Sequence, residues 1–260
     1  MCLIIFAYQA HPKFPLILAA NRDEFYERPT QRIHWWDQDP QLLAGKDLKA
    51  GGTWMGVHTS GRFAALTNFR DLSQEKKDAP SRGKLVLDFL QGSHSPSQFL
   101  RQLQPSSSQY SGYNLLVWEK GELAWQSNMQ KEWERVRPGI HGLSNHLLDT
   151  PWPKVEKGKR SMESIVSNQK EISVEDLFAL LSDRSIATDA QLPQTGVSLK
   201  WERLLSAMHI ESEGYGTRVS TVIMIDHRGK VFVEERAFAP KGEALTFTLT
   251  FPIVEKPKRN

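Results

Sequence analysis

The chain has 260 residues, 39% of them apolar and 24% charged, with a formal net charge of +3 at pH 7. That length suffices to bury a substantial core, and the near-balanced charge, with no Lys/Arg cluster interleaved with aromatics, excludes a nucleic-acid-binding surface. A single cysteine excludes an intramolecular disulfide and a cysteine-rich zinc site, and no apolar run reaches the roughly 18 residues that cross a bilayer.

The opening stretch from Leu3 to Ala20 is apolar in two parts, interrupted by Gln9, His11, Pro12 and Lys13. It lacks the basic start, continuous apolar run and small-residue cleavage site of a secretory signal, so cytoplasmic residence is expected. Cys2 to Tyr8 and Phe14 to Ala20 are rich in apolar residues without alternation, the pattern of strands buried on both faces, and they predict an opening hairpin around His11-Pro12-Lys13. Gly51 to His58 reads as a third strand, paired through the Thr59-Ser60-Gly61 turn with Arg62 to Asn68. Ser81 to Gln91 predicts a helix with Leu85, Val86, Phe89 and Leu90 on one face. A second helix carrying Phe99, Leu100 and Leu103 follows Ser95-Pro96.

Two further hairpins are expected, Tyr113 to Trp118 with Leu123 to Ser127, and Ser220 to Ile225 with Val231 to Glu235. Between them, Pro153 to Asn168 places Val155, Met162, Ile165 and Val166 on one helical face. Ser173-Val174-Glu175-Asp176 forms a capping box ahead of Leu177, Leu180 and Leu181. Ala244 to Phe251 is expected as the last strand. Strands outnumber helices, and the helices come in pairs between hairpins, which favours antiparallel sheets covered by helices. No internal repeat or long linker divides the chain, so residues 1–260 are expected to form one domain. The basic end Lys256-Pro257-Lys258-Arg259 reads as a solvated terminus.

Cys2 is the first residue of chemical interest. Removal of Met1 leaves it with a free α-amine whose ordinary pKa, roughly 7.7–8.0, lies just below the roughly 8.5 of a thiol. That amine can take the thiol proton and activate a nucleophile. The same residue equally suits a small apolar filler at a strand start. Asn21-Arg22-Asp23-Glu24 follows the second strand. If extension continues, Asn21 and Asp23 share one face while Arg22 and Glu24 share the other. Arg22 beside the sulfur would favour thiolate, whereas Asp23 would orient the amine, and Asp23 is taken as the member facing Cys2.

Asn68 and Asn145 end strand-like segments, where each suits either a turn or an oxyanion donor. Arg218 enters a strand after two glycines, as a surface ion-pair partner, a thiol-tuning cation or a carboxylate anchor. Trp54 suits either a pocket wall or the core. The eight histidines show no zincin spacing, and no Gly-x-Gly-x-x-Gly, P-loop or Gly-x-Ser-x-Gly motif is present. No metal or cofactor is expected.

Met1-Cys2-Leu3-Ile4-Ile5-Phe6, Ala20-Asn21-Arg22-Asp23-Glu24, Arg28-Pro29 and Ala50-Gly51-Gly52-Thr53-Trp54-Met55-Gly56 together resemble the NRDE family, also called the transport-and-Golgi-organisation family. Thr67-Asn68-Phe69-Arg70, Gly142-Leu143-Ser144-Asn145 with Pro151-Trp152-Pro153-Lys154, and Gly216-Thr217-Arg218 extend the likeness over essentially the whole chain. The resemblance implies an α+β fold related to the N-terminal nucleophile hydrolases of the choloylglycine hydrolase and penicillin V acylase type. That fold is a four-layer αββα sandwich of two antiparallel sheets. It implies Cys2 as nucleophile, Asp23 beside the amine, Asn68 and Asn145 as oxyanion donors and Arg218 as the late arginine. Arg22 corresponds to the early arginine, although the hydrolases usually place theirs a few residues before the aspartate.

The family is also linked to haem and to acyl-CoA or lipid handling. Two functions are therefore expected: a cysteine amide or thioester hydrolase, or a carrier or chaperone for haem, acyl-CoA or lipid. Either takes a small-molecule acyl or haem-like ligand, with no nucleic acid and no stable membrane insertion.

Overall fold

The computed structural model describes residues 2–167, 171–238 and 245–254. Strands β1 (Cys2–Tyr8) and β2 (Leu16–Phe25) pair antiparallel, as the paired apolar runs imply. Leu3, Ile5, Ile17 and Ala19 pack under helices, while Ile4, Phe6, Leu18 and Ala20 fill the space between the two sheets. Both faces are thus covered, which is why these strands carry apolar residues at successive positions.

β2 runs five residues beyond the expected end at Ala20, so Asn21 to Phe25 is strand and not the turn that polar residues usually signal. Its other neighbour is β11 (Tyr215–Ile225), which continues into β12 (Lys230–Ala237) and β13 (Leu245–Pro252). β10 (Gly139–Leu143) closes the opposite edge, giving the sheet order β10-β1-β2-β11-β12-β13. The expected start of the last strand at Ala244 lies outside the described residues.

The second sheet is a seven-stranded meander in sequence order. It begins with β3 (Thr30–Trp36) and β4 (Asp39–Asp47), two strands that were not expected. The expected strand from Gly51 is shorter: β5 is Met55–His58, and Gly51 to Trp54 forms an irregular wall segment. There Gly52 and Gly83 meet backbone to backbone. A Cβ on Gly52 would lie 2.7 Å from the Gly83 carbonyl carbon. β6 (Phe63–Asn68), β7 (Tyr113–Glu119), β8 (Glu122–Ser127) and β9 (Glu134–Arg135) complete the sheet. Gly61, at φ +87°, makes the expected β5–β6 turn.

Helices α1 (Gly83–Gln91) and α2 (Pro96–Leu103) cover the outer face of the second sheet through Leu85, Val86, Phe89, Leu90, Leu100 and Leu103. Ser95 and Gln98 close a reciprocal capping box at the start of α2. α3 (Pro153–Ser167) and α4 (Val174–Leu181) cover the first sheet with Val155, Met162, Val166, Leu177 and Leu181. The expected end of α3 at Asn168 lies outside the described residues. At α4 the cap is one-sided, with the Ser173 hydroxyl accepting from Asp176 N–H. A short α5 (Leu199–Leu205) that was not expected packs Leu205 with Ile210 and Tyr215. The layers are therefore helix, sheet, sheet, helix, as the expected αββα sandwich requires.

Candidate functional site

Strand ends from both sheets meet at one end of the inter-sheet core. They are the start of β1, the ends of β2, β6 and β10, and the start of β11. A cleft of about 450 Å³ opens there, with Cys2, Arg22, Asp23, Trp54, Asn68 and Arg82 in its wall.

The β1–β2 register sets Cys2 opposite Arg22. Directly opposed residues of an antiparallel pair project on one face. Arg22 therefore takes the position beside the sulfur that the sequence reading gave to Asp23. The alternation itself is as expected. Arg22 and Glu24 share a face, with 3.7 Å between guanidinium and carboxylate. Asn21 turns to the helical side, donating to the Leu181 and Met208 carbonyls at 2.9 Å. Asp23 lies on that side too and accepts from the Thr217 hydroxyl at 2.7 Å. Being close to the strand end, it still borders the cleft.

Asn68 ends β6 and stands in the cleft wall. Asn145 is fully buried behind it, donating its side-chain amide to the Asn68 carbonyl at 2.9 Å. The two asparagines are thus adjacent, but only Asn68 borders the cleft. Arg218 stands apart from the wall. The β2–β11 register slips between Thr217 and Val219, so Arg218 sits in a bulge and reaches along the rim. Its guanidinium donates to the Phe25 and Arg28 carbonyls at 3.0 and 3.2 Å, bracing the turn after β2.

Several contributors were not singled out from sequence. Ser144 donates its hydroxyl to the Cys2 carbonyl at 3.2 Å, and the Thr67 hydroxyl donates to the Ser144 carbonyl at 2.5 Å. Asn114 in turn donates to Thr67 at 3.1 Å. This chain of bonds ties the start of β1 to β6 and β7 across the two sheets. Trp54, left open between pocket and core, forms part of the wall, with the Arg22 guanidinium 4.3 Å above its ring. Arg82, at the entrance to α1, donates to the Gly112 carbonyl at 2.9 Å. Lys154 is buried in the first turn of α3. The Pro151-Trp152-Pro153-Lys154 motif was visible in the sequence, but the burial of its lysine depends on how α3 docks.

The electrostatics follow from burial. Desolvation pushes the Cys2 thiol up; the Asp23 carboxylate adds to that shift and the Arg22 guanidinium opposes it. Burial also raises the Asp23 carboxyl, against the pull of Lys154. Burial pushes Lys154 down to about 8, with Asp23 acting in the other direction. The cleft can therefore hold a neutral thiol that needs a base, next to a cation able to stabilise its anion. Among the described residues, no three His, Cys, Asp or Glu side chains are gathered to hold a metal ion. No described helix is long and apolar enough to cross a membrane.

The sequence model of the family described as Transport and Golgi organisation 2 matches residues 1–240. The chain is 34% identical over 271 residues to the Transport and Golgi organization protein 2 homolog of Homo sapiens, an alignment covering 96% of this chain and 98% of the human protein. It is 31% identical over 269 residues to Transport and Golgi organization protein 2 of Drosophila melanogaster, covering 94% of this chain and 95% of the fly protein. Among solved structures, the C2A mutant of conjugated bile acid hydrolase from Clostridium perfringens matches with a TM-score of 0.52. That match has 8% sequence identity and covers 100% of this chain and 99% of that one. At this identity the likeness is one of fold: the two proteins share their overall architecture.

Proposed function

The chain belongs to the Transport and Golgi organisation 2 family, and we propose that it is a cysteine hydrolase cleaving an amide or thioester of a small acylated compound. The observation that carries this reading is the sole cysteine at the start of β1, in the wall of a cleft that Asn68 also lines. The fold likeness to a bile acid hydrolase solved as a C2A mutant supports it.

In this reading Met1 is removed and the α-amine of Cys2 accepts the thiol proton. The sulfur attacks the carbonyl carbon, and the oxygen takes the negative charge while accepting a hydrogen bond from the Asn68 amide. Collapse of the adduct breaks the bond to the leaving amine or thiol, which departs with the proton held by the α-amine. Water then attacks the Cys2 thioester, releasing the acid and restoring the thiol. Asp23 beside the strand start orients the amine, and Ser144 fixes the Cys2 carbonyl. A single cysteine suits a reducing compartment, which supports a cytoplasmic reaction.

Intact-mass measurement tests the premise. Loss of Met1 is expected, and its quantitative retention would remove the α-amine as base. A second reading, a carrier for haem, acyl-CoA or lipid, is favoured by one observation: burial raises the thiol and so disfavours the reactive anion. Cys2→Ala separates the two, because it abolishes hydrolysis but leaves binding by a carrier intact.

A further inference from the structure

We propose that Arg22 is an oxyanion-recognition residue, so that the compound cleaved at Cys2 carries a carboxylate or phosphate group a few bonds from its scissile carbonyl. Arg22 is 5% exposed and borders the cleft. Its Nη1 is fully buried and has no hydrogen-bond partner among the described residues. A guanidinium offers five donors in a fixed fork. Among the described residues the nearest carboxylate is Glu24, at 3.7 Å, beyond hydrogen-bond distance. The Trp54 ring supports the flat face of the guanidinium, and that contact leaves the donor edge unused.

The neighbouring cations are differently placed. Arg28 spends Nε and Nη2 on Asp47 Oδ2, both at 2.8 Å. Arg82 gives Nη1 to the Gly112 carbonyl. Arg22 is thus a buried cation without a hydrogen-bonded counter-charge, an arrangement that costs stability unless a ligand completes it. Its place follows from register. Opposed β residues hold their Cβ atoms about 4.5–5.5 Å apart, so an anion on the Arg22 fork lies within a few bonds of a carbonyl at the sulfur. Glu24 competes for the same cation but also approaches Arg28, at 3.8 Å, and can remain there when an anion arrives.

The identification of a substrate class rests on the hydrolase reading; the binding of the anion does not. The experiment therefore uses full-length Cys2→Ala protein and isothermal titration with three probes: N-propylsuccinamate, the isosteric neutral N-propylsuccinamide, and the corresponding phosphonate. At least tenfold tighter binding of one or both anions than of the diamide is expected, and the better anion distinguishes carboxylate from phosphate. Adding Arg22→Leu should erase the preference, Arg22→Lys should retain part of it, and Glu24→Gln should strengthen it. The lysine and glutamine variants give an answer even if the leucine variant does not fold. Equal affinity for acid and diamide, or a preference that survives in the folded Arg22→Leu protein, overturns the proposal. Hydrolysis of the neutral diamide by wild-type protein, with no anion preference, would overturn the subsite while leaving the hydrolase reading intact.

Discussion

Arg22 and Asp23 are adjacent in sequence, project on opposite faces of β2, and act on the Cys2 thiol with opposite sign. Asp23→Asn removes a negative charge that raises the thiol, so alkylation by iodoacetamide at neutral pH should quicken. Arg22→Leu removes a cation that lowers it, so the same reaction should slow. A one-unit shift changes the thiolate fraction about tenfold, and effects of about three- to tenfold in rate are expected from each variant. Hydrolysis should behave differently. Asp23→Asn should lower kcat even while it speeds alkylation, because orienting the amine is a separate task from setting the thiol charge. Parallel gains in alkylation and hydrolysis would remove Asp23 from the orienting role.

Between elements, one buried carboxylate joins the two sheets. Glu235 of β12 accepts the Ile33 N–H of β3 at 2.8 Å and the Thr221 hydroxyl at 3.2 Å. Burial pushes its carboxyl up to about 7. An acid raised in the folded state binds more protons there than in the unfolded chain. Its stabilising contribution is therefore fully present below the ordinary glutamate range, near 4.3, and is lost as pH rises toward 7. Glu235→Gln keeps an acceptor for Ile33 without the ionisation. Denaturant unfolding of that variant should show a flatter dependence between about pH 4.3 and 7 and a gain in stability at pH 8 relative to wild type. An unchanged pH profile would remove Glu235 as its source.

The Thr67 hydroxyl makes a second link between the sheets, and Thr67→Val should cost about 1–3 kcal/mol by leaving the buried Ser144 carbonyl short of a donor. The Glu235 link was not legible in advance, because β3 was not. Thr30–Trp36 alternates poorly between buried and exposed positions, and bulges break its register with β4. Both two-sided buried strands, β1 and β2, stood out because their apolar runs are unbroken.

At the scale of the whole molecule, the αββα layering follows from the grouping of hairpins and helix pairs, which the sequence displays. The choice of cleft-facing side chains does not follow so directly. Alternation along β2 correctly separated Arg22 with Glu24 from Asn21 with Asp23. Which pair meets the sulfur depends on the β1–β2 register, and the hairpin loop sets that. Arg218 illustrates the same point, since the bulge in β11 carries it from the expected cluster to the rim. Asn145 lies two residues beyond the end of β10 and is enclosed behind Asn68.

Cys2 as a covalent nucleophile is the central proposal. Its most direct test is intact-mass spectrometry of protein quenched with acid during turnover of an acyl thioester probe. One acyl group is expected on wild-type chains lacking Met1, mapped to Cys2, decaying as free acid accumulates and absent from Cys2→Ala. Release of acid at an equal rate by wild-type and Cys2→Ala protein, with no acyl adduct at any time, would contradict it.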